Sequence, residues 1–509
     1  MWKRSLFSFF SAGLLILSFP SFDLYLLAWV AFLPLFWSIK EISAFSAFQQ
    51  GFGAGMAFFL GLLYWLLHAM TIYGHLSFLF SLGLLILLVI YLALYLGAFC
   101  YLIVWLELFE HVLFPWLTGM LWVALEYLRG HLLTGFPWEL LGNSQYKWLS
   151  FIQVADIGGI YLLSFFVMTA NACLFLCLEK RNKVAFLNLA VFLGVLLAAL
   201  GYGWHQLHFW ETKIKHLPHL KVGLIQGNID ESKKWDPAFQ TATLKIYTEL
   251  SLKAGEQKPD LLIWPETALP FYFQQPSAYR QFILNLVKQI NIPLLVGSPA
   301  YKMTSQNVQY FNRAYLISKK GEVVDYYDKV HLVPFGEYVP CRRLLKFLPA
   351  VAAQEGDFSP GKRLRPLILK GKIPFGVLIC FEGIFPEISR QLVQEGASFL
   401  VNITNDAWFG RTSAPYQHLS MLVLRAIENR RGIARCANTG FSAYILPTGE
   451  INQRSKLFKP EFLIGTLPLV EEKTFYARHG DVLAYFCMCG ILIYIFLKGR
   501  QKWKKSKSV

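Results

Sequence analysis

Eight apolar runs dominate this 509-residue chain, and any fold has to place them. Seven precede residue 210: Leu6–Pro20, Leu24–Ile39, Gly51–Ile72, Phe78–Leu106, Leu113–Leu128, Phe151–Leu178 and Leu187–Trp204. The eighth, Val482–Leu497, lies near the C-terminus. A membrane-crossing helix needs about 20 predominantly apolar residues, so these runs predict seven spans before a central region and one after it. The first two are short and close together, which predicts a tight helical hairpin. The Phe78 run is long enough to tilt. Leu113–Leu128 is interrupted by Glu126, with Arg129 just beyond it. With His68, Glu107 and Asp156, Glu126 forms no ordered relay, and packing or helix ends account for these residues. Lys3 and Arg4 precede the first run, but no small-x-small cleavage site follows before Asp23. This run reads as an uncleaved anchor.

The charges say how such a chain would be oriented. Only 16% of residues are charged and 55% are hydrophobic, against about 25% and 45–50% in soluble domains. This excludes a disordered chain, a disulfide scaffold and an ordinary cytosolic enzyme. The formal charge is +16, from 48 Lys and Arg against 32 Asp and Glu. With the N-terminus inside, seven spans place the central region outside and the eighth returns the tail inside. Lys3 and Arg4, then Lys180, Arg181 and Lys183, then Lys498, Arg500, Lys502, Lys504, Lys505 and Lys507 all fall inside. That is the pattern of the positive-inside rule. These eleven cations face one acid within their clusters, Glu179, so the basic balance is a topology signal and not a nucleic-acid footprint. The eight cysteines make no framework, and Cys173 with Cys177 lacks the further ligands of a zinc site. No metal or cofactor motif stands out.

From Pro218 to Leu469 the texture changes. Strands are predicted at Leu220–Ile229, Asp260–Trp264, Pro293–Ser298, Ala314–Ser318, Phe375–Phe381, Phe399–Thr404 and Ala443–Leu446. Helices are predicted at Pro237–Lys253, Ser277–Ile290, Phe385–Glu395 and Gln417–Asn429. Several strands are continuously apolar, as in sheets buried on both faces. The fold class is therefore a multi-span α-helical membrane protein with an inserted α/β domain. Its parts are a membrane domain (1–210), a catalytic domain (218–470), an eighth transmembrane helix (481–498) and a basic tail (499–509).

Three motifs end or follow the strands, where α/β folds carry their chemistry. They are Trp264-Pro265-Glu266, Tyr327-Asp328-Lys329 and Ile379-Cys380-Phe381-Glu382. A carboxylate, an ammonium and a thiol suffice for covalent acyl transfer. The thiolate attacks, and a nearby cation favours it. The carboxylate takes the thiol proton and returns it to the leaving group. The ammonium and backbone N–H groups stabilise the oxyanion. His331 and His418 are the alternatives for a Cys–His pair.

This ordered set resembles the nitrilase superfamily, with its Glu-Lys-Cys triad. LLIWPETALP, YDKVHLVPFGEYVP, ICFE, NDAWFG (Asn405–Gly410), QGNI (Gln226–Ile229) with Trp235, and GFPWELLGNSQ (Gly135–Gln145) are similar to the apolipoprotein N-acyltransferase family. The resemblance covers nearly the whole chain. It implies an αββα sandwich facing the periplasm of a bacterial inner membrane. It implies Glu266 as general base, Lys329 as stabiliser of the tetrahedral intermediate and Cys380 as nucleophile. Glu337 would be a further acidic site residue, and Phe381 and Glu382 the aromatic-acid pair after the nucleophile, all three meeting the substrate. Trp235 and Trp138 would meet the lipid, or else serve as interfacial anchors.

The reaction implied passes a phospholipid acyl chain through a Cys380 thioester to the α-amino group of a diacylglyceryl-cysteine. No cofactor is implied, and the partners are a phospholipid, an apolipoprotein and the membrane. The segment Cys341–Gly361 mixes Leu344, Leu345, Phe347, Leu348 and Val351 with Arg342, Arg343 and Lys346, as a membrane-dipping arm would. A membrane-tethered amide hydrolase would use the same triad with water as acceptor. An inert scaffold or transporter would have no need of all three residues.

Overall fold

The computed structural model describes residues 2–305, 307–340 and 357–507. The chain divides into two compact units. One comprises residues 1–71, 77–209 and 479–509, the other residues 72–76 and 210–478. Most of Cys341–Gly361, the expected membrane arm, lies outside the described residues.

The first unit is helical. Four of its helices are long and apolar enough to cross a membrane unaided: Phe78–Trp105, Ala155–Lys180, Lys183–Ile214 and Val482–Lys504. A fifth span forms if Ala44–Leu63 and Trp65–Tyr73, bent by 51°, are taken together. This is fewer than the eight runs read from hydropathy, and the reasons are length and polarity. Trp2–Ser18 has 17 residues, about 26 Å at 1.5 Å per residue, short of a hydrocarbon core of about 30 Å. The second run breaks into a 3-10 turn, Tyr25–Trp29, and a short helix, Leu33–Ile39. These pieces fold back on the first helix as the expected hairpin, with Ser8 Oγ donating to Ser38 Oγ at 2.9 Å. The fifth run forms Phe114–His131 but buries Glu126 and Arg129.

Close approach binds Ala44–Leu63 to Phe78–Trp105. A methyl group at Gly55 would lie 2.9 Å from the Ala93 Cα, so glycine permits the small-residue packing that membrane helices use. Cys173 and Cys177 point at the Asn188 and Ala185 carbonyls of the next helix. They pack, and among the described residues no group of His, Cys, Asp or Glu could hold a metal ion.

The basic clusters meet at one end of this unit. Arg4 donates to the Ser38 carbonyl at 3.1 Å, and Lys40 pairs with Glu179. Lys180 pairs with Glu110 at 2.9 Å and Lys498 with Glu107 at 2.6 Å. Contacts thus join the N-terminal segment, the turn near residue 180 and the tail. The structure also corrects the charge count. Glu41, Glu107 and Glu110 sit among these cations as well as Glu179, so the local excess is smaller than sequence clusters imply.

The second unit is a four-layer αββα sandwich. Its first sheet has the order β12-β1-β2-β3-β4-β5 and its second β11-β10-β9-β8-β7-β6. The strands are β1 (His219–Gln226), β2 (Leu261–Ile263), β3 (Leu294–Met303), β4 (Val308–Ile317), β5 (Val323–Asp328) and β6 (Leu367–Leu369). They continue with β7 (Ile373–Ile379), β8 (Phe399–Thr404), β9 (Ile433–Ala437), β10 (Ala443–Ile445), β11 (Ile451–Arg454) and β12 (Glu461–Pro468). β1, β2 and β3 run parallel, as do β7, β8 and β9.

Alternation along each strand divides its side chains between two cores. Leu261 and Ile263 face the second sheet's Val377, Ile379, Val401 and Ile403. Leu262 and Trp264 face the other way, onto Tyr247 and Val287 of the helices Pro237–Gly255 and Ala278–Ile290. Pro386–Gln394 and Ala414–Asn429 are the corresponding helices associated with the second sheet. Burial on both faces is why the strands read as unbroken apolar runs.

Candidate active site

The three motif residues converge where β2, β5 and β7 end. Glu266 follows β2 by three residues, Lys329 directly follows β5, and Cys380 directly follows β7. The turn carrying Glu266 lies against Gly297 of β3, whose added Cβ would sit 2.6 Å from the Pro265 carbonyl. Only glycine allows the turn to lie this close.

Glu266 and Lys329 are both buried. Lys329 Nζ lies 3.5 Å from Glu266 Oε1 and donates to Glu337 Oε1 at 2.9 Å. Asn312 Nδ2 donates to both carboxylates, at 2.8 Å and 3.0 Å. The Asn405 N–H donates to the other Glu266 oxygen at 2.9 Å, and the Val333 N–H to Glu337 Oε2 at 2.8 Å. One ammonium therefore serves two carboxylates, the buried Glu266 and the partly buried Glu337.

This imbalance sets the proton chemistry. Burial lifts Glu266 above the ordinary carboxylate range, and Glu337 adds to that against the pull of Lys329. Burial works against the Lys329 charge, but Glu337 and Glu266 outweigh it and hold the ammonium above its usual range. Burial pushes the Cys380 thiol up and the Glu266 charge adds to it, with Lys329 opposing. The resting thiol is thus protonated, and a carboxylate poised to accept its proton stands in the same buried cluster. Proton transfer as the sulfur attacks fits this arrangement better than a free resting thiolate.

Cys380 keeps a partly exposed surface. Its backbone is left-handed, with φ +53°. A non-glycine residue held there is typically under about 1–3 kcal/mol of strain. The surrounding structure enforces it. Glu382 Oε2 accepts from the Ile379 N–H at 2.6 Å. Its Oε1 accepts from Tyr327 Oη at 3.0 Å and from the N–H groups of Val330 and His331 at 2.7 and 3.2 Å. Glu382 thereby ties the end of β7 to the segment carrying Lys329. Burial pushes its carboxyl up to about 7, while these donors pull the other way.

Other expected site residues have mixed placements. Glu337 joins the cluster directly. Glu382 was expected to meet substrate, but it is fully buried on protein donors and organises the site from beneath. Phe381 is buried, its ring 5.1 Å from Phe385. Trp235 is half exposed, and its Nε1 donates to Glu231 Oε1 at 3.1 Å. Trp138 is buried in the helical unit, 4.8 Å from the Trp65 ring and stacked on Phe136. The geometry disfavours a Cys–His pair. His418 Nε2 faces the Cys380 carbonyl at 3.2 Å, and the His331 ring lies tilted against Phe385, centroids 3.9 Å apart. Burial and Lys329 lower His331 to about 4, so it is neutral.

Sequence reasoning missed the supporting shell. Asn312 and the pair Glu231–Lys234 carried no motif of their own. Lys234 Nζ lies 3.2 Å from Glu231 Oε2 and donates to Thr267 Oγ1 at 2.7 Å. Glu231 Oε2 also accepts from Asn405 Nδ2 at 2.6 Å. Asn405 opens the NDAWFG motif, so its importance was signalled there, though its partner was not.

Residues 11–173 match the family described as apolipoprotein N-acyltransferase N-terminal domain, and residues 221–475 match carbon-nitrogen hydrolase. An apolipoprotein N-acyltransferase of Geobacter metallireducens is 45% identical over 97% of this chain and 94% of its own length. The chain belongs to the apolipoprotein N-acyltransferase family. A Nitrosomonas europaea member is 34% identical over 91% of this chain and 90% of its own. Among solved structures, a Nesterenkonia amidase of the nitrilase superfamily aligns with 53% of this chain and 98% of its own. Its TM-score is 0.39 and its identity 23%. Membership makes this chain an acyltransferase, with a nitrilase-like sandwich joined to apolar helices. Simple amide hydrolysis is the less supported reading.

Proposed function

We propose that the enzyme moves an acyl chain from a membrane phospholipid to the α-amino group of a diacylglyceryl-cysteine at an apolipoprotein N-terminus. Cys380 attacks the ester carbonyl as Glu266 takes its proton. Lys329 stabilises the tetrahedral oxyanion, and Glu266 returns the proton to the departing lysophospholipid. The resulting thioester is attacked by the acceptor amine, with Glu266 as base, and collapse restores the thiol. Trp235 meets the lipid, the buried Trp138 serves packing within the helical unit, and the basic segment Cys341–Gly361 engages the membrane. The observation that carries this reading is the shared buried cluster of Glu266, Lys329 and Cys380 in a chain with membrane-length apolar helices.

The catalytic unit faces the periplasm of a bacterial inner membrane, and eight apolar segments cross or enter the bilayer. Contacts that gather the basic clusters at one end of the helical unit support a single cytoplasmic side. A labelled phospholipid and a diacylglyceryl lipopeptide test the activity. Label on the lipopeptide amine is expected, and release solely as free fatty acid would identify a hydrolase. An impermeant thiol label on a cysteine introduced in 218–470 is expected to react from outside; reaction solely from the cytoplasm would reverse the topology.

A further inference from the structure

The turn holding Cys380 is clamped from behind by groups outside the Glu266 cluster. Asn402 Nδ2 donates to the Leu378 and Cys380 carbonyls at 3.1 and 3.3 Å. His418 Nε2 reaches the Cys380 carbonyl at 3.2 Å. Behind them, Arg435 Nη1 donates to Asn402 Oδ1 and Nη2 to Asp406 Oδ2, each at 2.6 Å. Thr404 Oγ1 donates to Asp406 Oδ1 at 2.9 Å. All five side chains are buried.

The surroundings decide which nitrogen of His418 carries the proton. Nδ1 lies 3.1 Å from both Asp406 Oδ1 and Arg435 Nη2. A guanidinium only donates, so in neutral imidazole Nδ1 accepts and Nε2 bears the hydrogen. In the cation Nε2 also bears it. The remaining tautomer would donate to Asp406 Oδ1, which already accepts from Thr404, but would oppose two lone pairs at Nε2 and two donors at Nδ1. Burial and Arg435 lower the imidazole pKa, favouring the neutral form. The Phe409 ring edge, 5.9 Å away, closes the apolar side.

The Cys380 carbonyl shares its planar trans peptide with the Phe381 N–H, which points the opposite way. That N–H is in the first turn of the 3-10 helix Cys380–Ile384, where no intrahelical acceptor exists. Fixing the carbonyl from one side therefore fixes a donor beside the nucleophile on the other. We propose that His418 is a positioning residue: its Nε2–H holds the Cys380 carbonyl so that the Phe381 N–H is aimed at the oxyanion formed on Cys380. This rests on the thioester reading above.

Two rates of the full-length enzyme in detergent separate the ideas: acylation of Cys380 at saturating labelled phospholipid, and its alkylation by iodoacetamide, which forms no oxyanion. His418→Phe removes the donor. His418→Asn can still meet Asp406 and Arg435 but falls short of the carbonyl, and serves if the Phe variant does not fold. Both are expected to acylate ~10²-fold more slowly, the scale of a misplaced catalytic geometry, while alkylating at the wild-type rate. His418→Gln, whose amide reaches the carbonyl, is expected to recover most of the acylation. Wild-type acylation in the Phe or Asn variant would overturn the proposal, as would a parallel fall in both rates. If wild-type Cys380 forms no adduct at all, the thioester reading fails and this inference falls with it.

Discussion

Two buried charge clusters flank Cys380, and they differ in balance. In front, Lys329 faces two carboxylates, Glu266 and Glu337. Behind, Arg435 matches the single carboxylate of Asp406, and His418 is neutral. The front cluster holds one negative charge too many, so burial makes a proton welcome there. Burial works against the Asp406 charge as well, but Arg435 holds that carboxyl below its usual range. Similar residue types thus yield a site that exchanges a proton and a scaffold that does not.

The largest effect should come from the group both clusters serve. Cys380→Ala is expected to abolish transfer of label from phospholipid to lipopeptide while leaving the thermal midpoint near wild type. Substantial remaining turnover would put the nucleophile elsewhere.

The front cluster comes next. Glu266→Gln should slow acylation by ~10²–10⁴-fold, the usual worth of a general base. The pH profile of kcat/KM sharpens this. A base works only when ionised, so activity should fall as pH drops through the Glu266 pKa. Because burial raises that pKa, the acid limb should lie above the ordinary carboxylate range. A limb at about 4.3, the unperturbed glutamate value, would contradict the imbalance.

The rear cluster should answer in stability. Asp406→Asn leaves the buried Arg435 without its counter-charge, a loss of about 3–5 kcal/mol in comparable cases. Thermal melts of the full chain in detergent measure it. An unchanged midpoint would mean the rear pair is not a scaffold. The smallest effect belongs to Trp235, half exposed at the edge of the front network. Trp235→Ala should raise the phospholipid KM by about tenfold, roughly 1.4 kcal/mol, with kcat little changed. A fall in kcat alone would make Trp235 a positioning group for Glu266 instead.

The contrast also explains what could be read from sequence. FLVNIT is buried on both faces and was legible as β8 from Phe399 to Thr404. IARCA was not legible as β9, because Arg435 interrupts it, and the fold places that guanidinium on Asp406. Strands β5, β6, β11 and β12 were also missed. β5 and β11 are largely exposed, with weak apolar patterning, and β6 has three residues. β12 carries Gly465, which looks like a break until its neighbour Tyr444 is seen lying across it. Glu266 and Cys380 were legible as candidates because each ends or follows an apolar strand within a long motif, and Lys329 through its motif alone. Asn312 and Arg435 were not, since a buried polar residue reveals its partner only once the chain is folded. Hydropathy located eight apolar runs, of which four described helices, or five with the bent pair, are long and apolar enough to cross alone.

Intact mass of the wild-type enzyme after incubation with phospholipid, without acceptor, tests the central claim most directly. The account predicts an added mass of one acyl chain, mapped to Cys380 and discharged by a diacylglyceryl lipopeptide. Full transfer activity with the chain mapped to another residue, or with Cys380 never acylated, would contradict it.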